Sequence, residues 1–320
     1  MKIVTTICWG VAALALAGIA VWFLTGTVFG FETGRYFTGL ADGITLESLK
    51  GPYKVAGEYS VSADSVDSIK INWITGGITV TPYSGDVILI TESAQRELSE
   101  GEKLRLGSSG GVLTIDFHED RTILRMPHKK LDILVPEDLS KGMRKLIVDS
   151  VSGSVSVENV SAAELKVSSI SGSLRLTDII AEAVNIDSTS GSIAVSGLNS
   201  GDMSIRSISG AVSLSATGAA NIKCSTTSSS IEMKGSFGSA TVSTVSGRVA
   251  IESAIIPESL SVDTTSGRID VTVPNEGAVS VYHSSTSGRF SSDLPVLVQG
   301  REAQFRFSTI SGAVRIYELG

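Results

Sequence analysis

The chain has 320 residues, 33 of them glycine, and a formal net charge of −7. A globally acidic chain lacks the Lys and Arg excess that phosphate-backbone binding requires, so nucleic acid is set aside as a partner. Its two cysteines, Cys8 and Cys224, both stand at apolar positions and predict no disulfide.

Residues 3–31 carry no charged side chain. Their core, IVTTICWGVAALALAGIAVWFL, would span roughly 33 Å as a helix, enough to cross a bilayer. A cleaved signal peptide is the alternative, but its apolar core is normally only about 7–15 residues, so the length favours an uncleaved anchor. Lys2 and the amino terminus on one flank, with Trp22, Phe23 and Phe29 toward the other, orient Met1 inside and the rest outside. Residues 1–31 are therefore predicted to form a transmembrane helix, and residues 32–68, rich in turn residues and without a period, a juxtamembrane linker.

Over residues 69–145 the pattern becomes period two, as in IKINWITGGITV, DVILITES, KLRLGSSGGVLTIDF and KKLDILVPEDL. These segments predict an irregular β-region, with loops at 94–102 and 119–130. Residues 146–320 then repeat one unit. Its pivot is Gly153, Gly172, Gly191, Gly210, Ser229, Gly247, Gly267, Gly288 and Gly312, at spacings of 19, 19, 19, 19, 18, 20, 21 and 24. Every pivot is preceded by Ser, has Ser or Thr three residues before it and an apolar residue two after it. A fixed short period of this kind predicts a β-solenoid with coils of about 19–21 residues.

Apolar parity switches at each pivot. Leu165 and Val167 share one parity and Leu174 and Leu176 the other, so a bend must intervene, for which Gly is expected to supply a positive φ. The Ser and Thr columns are expected to bond along the stack or to the turn backbone rather than to act as nucleophiles. The later coils carry Pro and Gly at 254–259, 273–277 and 294–300, which predict projecting loops. Phe305, Phe307 and Tyr317 are expected to cap the open end of the last coil.

An amino-terminal apolar anchor, the motif LDILVP at 131–136 and the nine Ser-Gly-type turns together resemble the putative-adhesin family of bacterial envelope proteins, a domain of unknown function made of repeated β-strands. The resemblance covers residues 69–320. It implies a β-solenoid-like fold, an extracytoplasmic location and a Gram-positive-type envelope, and it brings no catalytic residues.

The residues themselves predict no enzyme, cofactor or metal. His118 and His128 lie near Glu119 and Asp120 but lack the spacing of a zinc site and read as surface histidines, while His283 replaces an apolar residue and reads as a local bulge. The turns contain no phosphate loop and no calcium-binding nonapeptide. Asp149, Asp187 and Asp263 share an outward column that Arg206 and several Ser interrupt. One column carries charge of a single sign: Arg248, Arg268 and Arg289 follow three successive pivots and would stack roughly 5 Å apart. Either Glu252, Asp263 and Asp270 compensate them on a solvated face, or they form a shallow stripe for an anionic polymer such as teichoic acid or an acidic glycan. The leading reading is a membrane-anchored, extracytoplasmic, non-enzymatic protein for adhesion or scaffolding. The alternatives are a polysaccharide-active β-helix enzyme and an accessory component of envelope-stress sensing that binds an envelope membrane protein.

Overall fold

An apolar-x-apolar strand on each side of a Ser-Gly turn buries its inward side chains only when another copy lies against it. The computed structural model describes residues 45–46, 52–118, 125–298 and 304–320. The chain divides into two units, residues 1–48 with 120–126, and residues 49–119 with 127–320. The described part of the first is a parallel pairing of Thr45–Leu46 with Arg125–Met126. The second is an all-β solenoid. The apolar stretch expected to anchor the chain lies outside the described residues, and among those described no helix is long and apolar enough to cross a membrane.

In the solenoid, copies stack as parallel strands in register. Leu146 and Val148 pair with Leu165 and Val167, then with Val184 and Ile186, then with Met203 and Ile205. Past the turn, Val155 and Val157 pair with Leu174 and Leu176, then with Ile193 and Val195. All of these side chains are buried. Each contributes about 1.5–3 kcal/mol of transfer free energy, so the inward columns drive the stacking.

The turn chemistry differs from the sequence expectation in one respect. The pivot glycines of the repeats do not adopt positive φ. Gly is required there by close approach: a Cβ on Gly172 would lie 1.8 Å from the carbonyl oxygen of Gly153, and one on Gly191 equally close to that of Gly172. The left-handed residues stand at the second corner instead, where Asn159, Asp178, Gly197 and Ala216 form a column with φ of 54°, 53°, 66° and 47°. Three of the four are the residue types that tolerate this region best. The Ser and Thr columns bind turn backbone as expected. Ser150 Oγ accepts from Gly153 N at 3.1 Å and donates to Gly153 O at 3.0 Å, and Ser207 does the same across Gly210. The serines next to the pivot reach the adjacent coil, as Ser152 Oγ does to Ile74 O at 3.0 Å.

Both ends depart from chain order. The coil of Ser68–Trp73 and Ile78–Tyr83 has the Gly153 coil on one side and Val112–Asp116 with Lys129–Pro136 on the other. The chain thus lays down an outermost coil and then returns past it. Lys54–Ser62, inside the interval read as a linker, is a strand paired antiparallel with Val87–Ala94. Antiparallel strands here shield the outer edge.

At the other end, Phe305–Thr309 and Val314–Glu318 insert between the Gly267 coil and the Gly288 coil. The Gly288 coil is outermost, and part of the interval expected to loop out, Val296–Val298, pairs with its strand at Val279–Val281. Phe305 and Phe307 therefore do not cap the end. Both are fully buried, because interior placement removes two large aromatic faces from water where a terminal position would leave one side wet. His283 does not mark a bulge: it pairs in continuous register with Phe307, its ring 5.3 Å from that of Phe290.

Candidate functional site

The second strand of each coil turns every other side chain outward, at the pivot plus one, three and five. Near the inserted coil these positions form a grid of four adjacent strands. In spatial order they carry Arg248, Ala250 and Glu252; Arg268, Asp270 and Thr272; Ala313, Arg315 and Tyr317; and Arg289, Ser291 and Asp293. Insertion therefore separates the predicted arginine column. Arg248 and Arg268 are neighbours, whereas Ala313 lies between Arg268 and Arg289. The three do not stack on successive coils because coil order in space is not coil order in the chain.

Arg248 and Arg268 converge on one carboxylate. Arg248 reaches Asp270 Oδ2 with Nε at 3.0 Å and Nη2 at 2.8 Å, and Arg268 Nε reaches Oδ1 at 2.8 Å. Arg268 Nη2 donates to the Tyr317 hydroxyl at 3.2 Å. The two guanidiniums cover Asp270, which is only 6% exposed although it points outward. Asp270 and Tyr317 together raise the Arg268 pKa further above its ordinary value. Of the compensating acids expected from sequence, Asp270 pairs with these arginines and Glu252 pairs instead with Lys234 at 3.5 Å.

The outward ladder of the first strands carries the aspartates. Asp149, Ser168, Asp187 and Arg206 are successive rungs, with Asp263 farther along. Arg206 Nη1 lies 3.3 Å from Asp187 Oδ1. Burial raises the Asp149 pKa against the opposing pull of Lys166, Ser168 and Lys70, and its Oδ1 has no hydrogen-bond partner among the described residues. A carboxyl whose folded pKa is raised favours folding while protonated, and that contribution is lost as pH rises through the carboxylate range. Asp149→Asn is therefore expected to stabilise the protein by about 1 kcal/mol at pH 7. The gain should shrink as urea midpoints are measured at progressively lower pH, and a variant less stable than wild type at pH 7 would contradict this.

The histidines do not assemble a metal centre; among the described residues no group of three or more potential ligands forms one. His128 bridges Tyr53 at 3.2 Å and Thr75 at 3.3 Å. Glu119 and Asp120 lie outside the described residues. Burial pushes the Cys224 thiol up to about 12, leaving it inert. Sequence reasoning missed a fully buried ion pair, Lys129 Nζ to Glu92 Oε1 at 2.6 Å, in the outermost amino-terminal coil. It also missed Arg315, which joins the arginine face only through insertion. A shallow groove of about 690 Å³ crosses the second corner between Lys141, Arg144, Ala162, Ile180 and Asn199. Arg144 is committed there to Asp67 at 3.1 Å and Lys141 to Glu137 at 2.8 Å.

The fold has solved counterparts. A structure named as a putative lipid binding protein from Parabacteroides distasonis is 14% identical with a TM-score of 0.53, over 82% of this chain and 96% of its own. One named as a putative adhesin from Parabacteroides merdae is 14% identical with a TM-score of 0.52, over 85% and 99%. A further putative adhesin from Parabacteroides distasonis gives 14% and 0.51, over 83% and 98%. At such identity the likeness is one of fold alone. No curated protein matches the chain. The model of the Toastrack DUF4097 family matches residues 66–316, which takes in the inserted coil and the coils at both ends. The chain belongs to the Toastrack DUF4097 family.

Proposed function

We propose that this protein is a non-enzymatic surface-binding protein of the adhesin type, held at the membrane by residues 1–31 and displaying its solenoid outside the cell. The observation that carries the reading is the arginine-rich outer face at Arg248, Arg268, Arg289 and Arg315, four cations on four adjacent strands of which only Arg248 and Arg268 pair with the buried carboxylate of Asp270, on a chain that is acidic overall. A flat face of parallel strands repeats its side chains about every 4.8 Å, so it suits an extended, repetitive ligand better than a compact one. Opposite charge on such a ligand would draw it to this face and bind it through charge-assisted hydrogen bonds. The names of two solved relatives, putative adhesins, agree with this class.

The test is retention. Full-length protein in a Gram-positive host should stay with purified cell walls at low salt and be released as salt rises. Replacing Arg248, Arg268 and Arg289 with Ser together should cut the retained fraction at least about tenfold, since each charge-assisted contact contributes on the order of 1.5 kcal/mol. Retention that is unchanged and insensitive to salt would remove the reading.

A further inference from the structure

The Gly267 coil and the Gly288 coil present the same outward frame with two differences, Ser291 standing for Asp270 and Asp293 for Thr272. In the first, Arg268 is followed two residues later by Asp270, which takes two guanidinium groups. In the second, Arg289 is followed two residues later by Ser291, so the position that would hold the carboxylate holds a hydroxyl. The strand pairing places Ser291 opposite Arg315 and Arg289 opposite Ala313. Arg289 and Arg315 are thus diagonal neighbours on adjacent strands. With strands about 4.8 Å apart and a rise of about 3.3 Å per residue, their Cα atoms lie about 8 Å from each other, within joint reach of one small group.

Both arginines are exposed, as is Ser291. Neither arginine is in an ion pair among the described residues, and Asp270, the carboxylate opposite Arg315, already binds Arg248 and Arg268. Asp293, two residues beyond Ser291, is paired with neither. Ala313 adds no side chain beyond Cβ between Arg268 and Arg289. Two like charges side by side repel unless an anion lies between them.

We propose that Arg289, Arg315 and Ser291 form an anion site in which an external phosphate takes the place that the Asp270 carboxylate has in the Gly267 coil, and that its ligand is the phosphodiester group of an anionic polymer. Exchanging a carboxylate side chain for Ser leaves volume for a group larger than a carboxylate. Two guanidinium forks meet the non-bridging oxygens from different directions, and the Ser291 hydroxyl supplies a third donor, an arrangement suited to a tetrahedral oxyanion. The proposal rests on the surface-binding reading and assigns it a place and a chemistry.

The experiment uses the full chain in detergent micelles, titrated with poly(glycerol phosphate), with polygalacturonate as a carboxylate polymer and with phosphatidylglycerol vesicles. Wild type should bind poly(glycerol phosphate) more tightly than polygalacturonate. Arg289→Ser with Arg315→Ser should weaken that binding at least about tenfold and lower the slope of log affinity against log salt by about 1.4, roughly 0.7 for each lost phosphate contact. Ser291→Asp, which supplies the internal carboxylate, should weaken binding comparably while leaving the unfolding midpoint at or above the wild-type value. If both variants bind the polymer as wild type does, the site is wrong although surface binding stands. Equal or tighter binding of polygalacturonate would overturn the phosphate assignment, and binding to vesicles alone would overturn the polymer. If wild type binds no probe, the site and the surface-binding reading fall together.

Discussion

Gly191→Ala should destabilise the solenoid by more than about 4 kcal/mol, the range reached only when a substitution collides with structure that cannot yield. The added Cβ would lie 1.8 Å from Gly172 O, 2.5 Å from Gly172 C and 3.2 Å from Ser173 N. All three are backbone atoms of a turn whose flanking strands, Ser161–Ser169 and Leu174–Thr177, are paired on both edges, so neither coil can withdraw without breaking register. Against a total stability of about 5–15 kcal/mol, one methyl group at this position removes a large share of the folded population. Gly142→Ala is the control, because nothing lies within 4 Å of its Cβ position, and it should stay within about 0.5 kcal/mol of wild type. Urea midpoints of the two variants decide the matter; similar midpoints would mean that the coils are free to separate.

Lys129→Ala should cost about 3–5 kcal/mol, the range for leaving one member of a buried ion pair alone. Lys129 and Glu92 are both fully buried. The ammonium is bonded to Glu92 Oε1, to Glu102 O at 2.8 Å and to Phe117 O, and it lies 4.0 Å from the Phe117 ring centroid and 5.0 Å from that of Trp73. Burial pulls its pKa down to about 8 despite the opposing pull of Glu92. Glu92 in turn accepts from Leu104 N at 3.1 Å, so removing the lysine strands a carboxylate that holds a loop amide. The double variant Lys129→Met with Glu92→Gln keeps an acceptor for Leu104 and removes both charges. It should recover more than half of the loss, as read from urea midpoints and from hydrogen exchange in Val112–Asp116. A double variant no more stable than Lys129→Ala would show that the charge pair itself, rather than the stranded carboxylate, sets the energy.

The architecture was legible because inward columns such as Leu165, Val184 and Met203 obey a spacing that only stacking satisfies. The hydroxyls at Ser150 and Ser207 were legible for a similar reason: a fixed offset from a turn leaves few backbone groups within reach. The role of the pivot was misread, since bending and close approach both select glycine and only the carbonyl of the preceding coil distinguishes them. Asn159, Asp178 and Gly197 did carry the usual signature of a left-handed corner. Coil order at the ends was not legible. Every coil offers its neighbour nearly the same apolar and hydrogen-bonding edge, so periodicity cannot say which copy adjoins which. Arg289 was therefore assigned to the wrong neighbours and Arg315 went unnoticed. Lys54–Ser62 escaped because its side chains are largely exposed or half-buried and lack a strong apolar alternation.

The inserted position of Val314–Glu318 governs how the molecule would answer tension. Its backbone is bonded to Ile269–Val273 on one side and to Phe290–Ser292 on the other. A pull applied beyond Gly320 would load two rows of parallel bonds in shear at the same moment, where an outermost strand would peel away one bond after another. Such a joint is strongest along the strand axis and weakest across it, so the direction of a tether would decide how long an attachment survives under flow.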